Sequence, residues 1–341
     1  MKSVGSFYTK YRTYMIVLFK IVIVTVPIYL LLQEDQFDLT LQLGLLETPV
    51  ALFTLFIVWF FSFILLVALR WVMIAHILGL ALPIKFALYT HMAGVFLSSW
   101  LPGSIGGDVW KAYRFGQLRK LSSEKKGPAY LSVFLDRAMG LFALIVWGAV
   151  CILWNYNLWN QSDYSILADG LIGLAVLLSL VGLALFITPL TVPIFIAKII
   201  TNLRQKTDIL NVLFQQLQSI RQNKTGLIYS LLISLIIQAI NVFFLMLIAQ
   251  YVTDLSVPFV AVSAIFAISL IITILSLAPG GLGVGHFMFF VLFEAQGIPN
   301  GADIFNVFFV VITLFSAIGI FPYFWPDTPK KEAYLDKNLK G

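Results

Sequence analysis

LPGSIGGD (Leu101 to Asp108) and APGGLGVGH (Ala278 to His286) each interrupt a long apolar run with a proline–glycine cluster. Within a bilayer, such a break releases backbone N–H and C=O groups that lipid cannot satisfy. The broken backbone must then be buried in protein or line a wet cavity. Breaks in corresponding parts of two halves point to a transporter-like binding site near mid-membrane.

The composition around these breaks sets the class. Of 341 residues, 60% are hydrophobic and 11% charged, and several apolar stretches are long enough to span a bilayer. The chain reads as an all-α polytopic membrane protein, with no segment polar enough for a soluble catalytic domain. The single Cys151 excludes an intrachain disulfide. The first apolar segment, Met15 to Leu32, follows Lys2, Lys10 and Arg12 and lacks a small-residue cleavage site, so it reads as a retained helix.

Charge placement orients the spans. Lys and Arg gather at the N-terminus, Arg70 to Lys85, Lys111 to Lys126, Lys198 to Lys224 and Lys330 to Lys340. The intervening loops Gln33 to Pro49, Asn155 to Asp169, Tyr251 to Pro258 and Glu294 to Asp303 hold acids and no bases. Base-rich short loops stay cytoplasmic, which puts both termini on the cytoplasmic side of the membrane. Since Arg70 to Lys85 and Lys111 to Lys126 are then both inside, the run between them reads as a re-entrant hairpin turning near Pro102 to Gly107. The second break mirrors it from the outer face, turning near Pro279 to Gly285.

The crossing helices are then about six: Met15–Leu32, Ala51–Ile74, Tyr130–Trp154, Gly170–Ile187, Leu227–Tyr251 and Ile304–Phe324. With the two re-entrant broken hairpins they form an inverted repeat in one integral membrane domain. Residues 1–50 carry the first helix and an outer loop, 51–154 the first unit, and 155–225 a connecting helix and amphipathic segment. Residues 226–325 form the second unit and 326–341 a cytoplasmic tail. The amphipathic segment, Pro193 to Lys224, suits the headgroup interface.

Candidate site residues cluster at the breaks. Pro102, Gly103, Gly106 and Gly107 permit a sharp turn, with Ser104 and Asp108 as N-cap types for the next helix. Exposed N–H groups at such a helix start favour anions, and Lys111 and Arg114 lie just beyond, towards the cytoplasmic surface. A lipid phosphate is one reading; a packed turn flanked by anchoring bases is the other. At the second break, Pro279, Gly280, Gly281, Gly283 and Gly285 precede His286. A neutral His there can accept one hydrogen bond and donate another, bridging the broken backbone to a headgroup or to Asn306; bracing the break is the plainer role. Asp136 and Arg137 are ionisable groups at a span, a costly placement. As neighbours on a helix they face different partners. His76, His91, Gln238 and Asn241 read as isolated polar residues at helix contacts. No metal-ligand spacing, catalytic triad pattern or phosphate-cradling loop is present, so neither cofactor nor enzyme chemistry is expected.

FLSSWLPGSIGGDVWKAYRFG (Phe96 to Gly116), LSVFLDRAMGL (Leu131 to Leu141) and APGGLGVGHFMFFVLFEAQG (Ala278 to Gly297) resemble the flippase-like transmembrane family named after lysylphosphatidylglycerol synthetase. The likeness runs from about Ala51 to Phe324. Many members carry Glu where this chain has His286, following Arg rather than Gly285. The resemblance implies a domain that moves or presents lipids in aminoacyl-phospholipid, hopanoid or polyprenyl-linked glycolipid pathways. In bifunctional members synthesis belongs to a separate soluble domain, so the flippase part alone is expected here. The expected partners are membrane lipids, anionic or isoprenoid phosphates, with envelope lipid-biosynthesis enzymes alongside and no nucleic acid. The alternative is a membrane-embedded transferase or accessory subunit of such a pathway.

Overall fold

The computed structural model describes residues 44–45, 47–100, 106–117, 123–160, 164–187, 218–275 and 283–324, and among these no strand occurs. The expected helix Met15–Leu32, the amphipathic stretch up to residue 217 and the tail beyond 324 lie outside the described residues. So do the centres of both breaks, with Pro102, Gly103, Ser104, Pro279, Gly280 and Gly281.

Nine helices carry the described fold. They are α1 (Pro49–Ile77), α2 (Ile84–Trp100), α3 (Gly106–Gln117), α4 (Ser123–Trp154) and α5 (Ser165–Ile187), then α6 (Lys224–Thr253), α7 (Phe259–Leu275), α8 (Val284–Glu294) and α9 (Gly301–Phe324). A short turn of helix, Tyr156–Asn160, joins α4 to α5. Five of these, α1, α4, α5, α6 and α9, are long and apolar enough to cross a membrane. They match the five crossings expected from apolar length within the described residues, with starts two to seven residues earlier. The chain is a multi-pass membrane protein.

Both breaks fall between helices that pack on each other, α2 with α3 and α7 with α8. At 1.5 Å per residue α8 is about 16 Å long, roughly half the hydrocarbon thickness. The first pair closes tightly. A Cβ on Gly107 would sit 2.1 Å from the Gly94 carbonyl oxygen, so only glycine lets α3 lie on α2 here. The Gly107 N–H donates to Ser98 Oγ at 3.1 Å across the same contact.

α1 is not a uniform α-helix. It begins with Pro49 at its first turn, where a missing N–H costs nothing, and widens to a π-helix over Phe60–Leu66. The wide turn matters below, because its Phe63 carbonyl serves a side chain of α2.

Packing between the two halves is reciprocal. α7, the first arm of the second pair, lies against α4, the last span of the first unit. Conversely α2, the first arm of the first pair, lies against α9, the last span of the second unit, while α1 packs on α6. Lipid tails offer no hydrophobic drive for such contacts, so close fit must supply the stability. At α4–α7, Gly148 meets Ala267; at α9–α2, Gly319 meets the Met92 carbonyl. Between these contacts, rings of Phe244, Phe266, Phe289, Phe305 and Phe308 pack edge-on or tilted. One apolar core thus joins both units.

Candidate functional site

Seven helices leave a cavity of about 400 Å³ between them, with walls from α1, α2, α3, α4, α6, α7 and α9. Its charged lining comes from the first unit, and its apolar lining comes from both. Leu270, Ile274, Phe305, Phe308, Phe309 and Ile312 contribute apolar surface from the second unit, and Phe63, Val67, Val95, Leu141 and Leu144 from the first.

The charged wall centres on Asp136 of α4, which is buried. Arg70 Nε donates to Asp136 Oδ1 at 2.8 Å, and Lys111 Nζ donates to Oδ2 at 3.0 Å. Arg70 also donates through Nη1 to Ser234 Oγ of α6 at 3.1 Å, and Ser234 passes its own proton to the Ser230 carbonyl at 2.7 Å. Lys111 lies over the Trp71 ring at 4.8 Å. Thus three elements of the first unit and one of the second meet through a single carboxylate. Removing one member of so buried a set leaves an uncompensated charge, at a cost of about 3–5 kcal/mol.

A second ion pair borders the first. Asp108 Oδ2 lies 3.4 Å from Arg137 Nη1, and its Oδ1 lies 3.9 Å from Lys111 Nζ. The Arg137 side chain is 46% exposed, whereas those of Arg70, Lys111 and Asp136 are at most 6% exposed. Asp136 and Arg137, adjacent in sequence, therefore serve different partners. Of the five charged residues lining the cavity, three are cations and two are carboxylates.

Several sequence expectations change here. Asp108 does not cap α3: the helix begins at Gly106, and Asp108 lies in its first turn, held by Lys111 and Arg137. Lys111 does not point to the cytoplasmic surface but is buried against Asp136, because the Gly107–Gly94 contact draws α3 inward. Arg70, counted with the cytoplasmic bases although inside the expected span Ala51–Ile74, is buried within α1, where Asp136 offsets the burial of its charge. Arg114 stays out of the cavity, its guanidinium 5.8 Å from the Phe86 ring centre and 5.7 Å from that of Trp110.

His91, Gln238 and Asn241, expected as isolated polar residues, line the cavity together with Arg70. His91 Nε2 is 2.8 Å from the Phe63 carbonyl in the π-helical turn of α1. Gln238 Nε2 donates to the Gly140 carbonyl at 3.2 Å, tying α6 to α4. The signal for these residues was present in their placement: polar side chains inside apolar runs are expensive unless they face a partner or a cavity.

The second break is braced by its histidine. Gly283 takes φ of +81°, open chiefly to glycine, and starts α8. Its N–H donates to His286 Nδ1 at 3.3 Å, so Nδ1 carries no proton. The proton of a neutral ring is then on Nε2, which donates to Asn306 Oδ1 on α9. The ring packs edge-on to Phe305, whose other surroundings include the cavity, and Gly285 leaves the space that Phe305 fills. His286 itself does not line the cavity; it fixes one of the side chains that does.

A UPF0104 membrane protein of Methanocaldococcus jannaschii is 24% identical over 251 residues, covering 67% of this chain and 70% of that protein. No solved structure is similar to the chain. The family model for the lysylphosphatidylglycerol synthase TM region matches residues 17–322, and with nearly the whole chain so matched, the protein belongs to that family.

Proposed function

We propose that the protein moves or presents an anionic or polyprenyl-linked lipid between the leaflets of a bacterial inner membrane, with the cavity as the passage for its headgroup. The observation that carries this reading is the cavity's mixed lining: cations outnumber carboxylates among its charged residues, and the rest is largely aliphatic and aromatic. A bare phosphate meets a steep barrier in hydrocarbon because none of its hydrogen bonds is replaced. A polar, cation-rich groove lowers that barrier while the acyl chains stay against apolar surface. In this reading the α2–α3 and α7–α8 pairs are re-entrant hairpins of two inverted units, and both termini are cytoplasmic. The reciprocal packing of the units supports it, since inverted repeats place substrate between them. The protein acts without catalytic chemistry of its own.

Arg137 is the cation best placed to meet an arriving phosphate, being half-exposed at the cavity. Arg137→Gln should slow translocation of a fluorescent phosphatidylglycerol in reconstituted vesicles by roughly tenfold, as expected for one charge-assisted hydrogen bond. Arg114→Gln, outside the cavity, should leave the rate unchanged. Equal rates in native protein and Arg137→Gln would sink the phosphate passage. Group transfer by the purified protein, given lipid and donor, would move it to the transferases.

A further inference from the structure

The charged residues of the cavity fall into two grades. Arg70, Lys111 and Asp136 are sealed, and their contacts of 2.8 and 3.0 Å are those of charge-assisted hydrogen bonds. Asp108 and Arg137 are open: their side chains are 25% and 46% exposed, and Asp108 Oδ2 comes no nearer than 3.4 Å to Arg137 Nη1. On its other side, Asp108 Oδ1 is 3.9 Å from Lys111 Nζ. The carboxylate thus stands in the lining between two cations and closes on neither. Holding α3 to α4 does not require it, because Lys111 and Asp136 already join those helices by a buried bond at 3.0 Å. A part-exposed pair as long as Asp108–Arg137 adds little stability of its own.

Its chemistry gives the pair another use. A guanidinium takes carboxylate and phosphate oxygens through the same fork of N–H donors. A phosphate that reaches Arg137 therefore finds Asp108 already there as a rival. The rival can give way at low cost. Lys111 stands three residues on along α3 and has three N–H donors, of which Asp136 Oδ2 takes one. A movement of Asp108 by about 1 Å would close the 3.9 Å gap to a hydrogen bond while Asp136 keeps its own. Asp108 also lies in the first turn of α3, where a helix stabilises a carboxylate.

We propose that Asp108 is a built-in competitor for the headgroup phosphate: it holds Arg137 while the cavity is empty, yields it to an arriving phosphate by closing on Lys111, and takes it back as the phosphate leaves. A passage has to release what it accepts, and an Arg137 without this rival would keep its phosphate longer. The proposal rests on the anionic-lipid reading and adds the step that empties the site.

The test titrates dioctanoyl phosphatidylglycerol into the full-length protein in detergent. Asp108→Asn should bind it about fivefold more tightly, the affinity freed when an exposed pair of this kind no longer competes. A carboxylate that merely anchors α3 predicts the opposite, since loosening α3 weakens the site. In an Arg137→Gln background the gain from Asp108→Asn should fall below about twofold, and a larger gain there would make Asp108 a source of general repulsion and overturn the competition. Equal or weaker binding of phosphatidylglycerol by Asp108→Asn overturns the proposal alone. So does phosphatidylethanolamine binding that falls in Asp108→Asn, because Asp108 would then be the seat of an ammonium. Should Asp108→Asn lose monodispersity, Asp108→Ala takes its place under the same criteria. Binding of phosphatidylglycerol by neither the native protein nor the variant overturns the anionic-lipid reading and this proposal together. Glycerophosphoglycerol, the same headgroup without its tails, separates the sources: if it binds as tightly as the lipid and gains equally from Asp108→Asn, the competition is supported and a lipid as its ligand is overturned.

Discussion

Asp136 is the residue on which the first unit converges. Replacing it by Asn keeps the shape but leaves Arg70 and Lys111 buried around a neutral amide, at a cost of about 3–5 kcal/mol. The Asp136→Asn protein should lose monodispersity in detergent and melt well below the native protein in a fluorescence-based thermal assay; an unchanged melting temperature would mean that the cluster is wet and loosely held. His286 behaves differently, since its two hydrogen bonds span a break rather than a charge cluster. His286→Ala should impair lipid movement more than assembly, and His286→Gln should be milder because its amide also accepts and donates. Normal transport by both variants between pH 6 and 8 would leave the residue a packing role only. The histidine's bridge to Asn306 was legible in the sequence because a polar side chain directly after a glycine break has few reachable partners. The Arg70–Asp136–Lys111 set was not, because its members stand 66 and 25 residues apart and no local pattern joins them. Arg70 was grouped with Lys85, fifteen residues on, as a cytoplasmic base, and that grouping hid its burial.

Helices were the readable level. Runs of apolar residues of bilayer length marked α1, α4, α5, α6 and α9, and the proline–glycine clusters separated α2 from α3 and α7 from α8. The π-helical turn of α1 left no such mark: FFSFILL is an ordinary apolar run, and the wide turn is visible only where His91 meets Phe63. Glycines in the same helices likewise differ only in what surrounds them. Gly107→Val would drive side-chain carbons into the Gly94 backbone, so α3 must separate from α2, at a cost of about 1–3 kcal/mol or more. A Cβ at Gly170 of α5 meets nothing within 4 Å, and Gly170→Ala should instead stabilise its helix by roughly 0.5–1 kcal/mol. Thermal melts of the two variants in detergent should therefore shift in opposite directions, and a shared direction would refute the packing account of the α2–α3 contact.

Orientation belongs to the molecule as a whole. Single cysteines at Ser122 and Asp163, with Cys151 replaced by Ser, should react with a membrane-impermeant maleimide from opposite sides of sealed vesicles. Labelling of Ser122 from the outer face would remove the first re-entrant hairpin and the inverted arrangement with it. The charge distribution is the source of this expected order, whereas no pattern marked the cavity: its wall needs seven helices, and pairwise sequence patterns do not state how seven helices meet. The reciprocal packing has a mechanical corollary. Gly148 bears on Ala267 and Gly319 bears on the Met92 carbonyl, one fulcrum in each direction of the exchange between the halves. A rigid rotation about the line through both points preserves those two contacts, while α6 must slide against α1 and α4. Rocking of one half against the other would therefore pivot on two small residues, and whatever the opening angle, a bulkier side chain at either pivot would jam it.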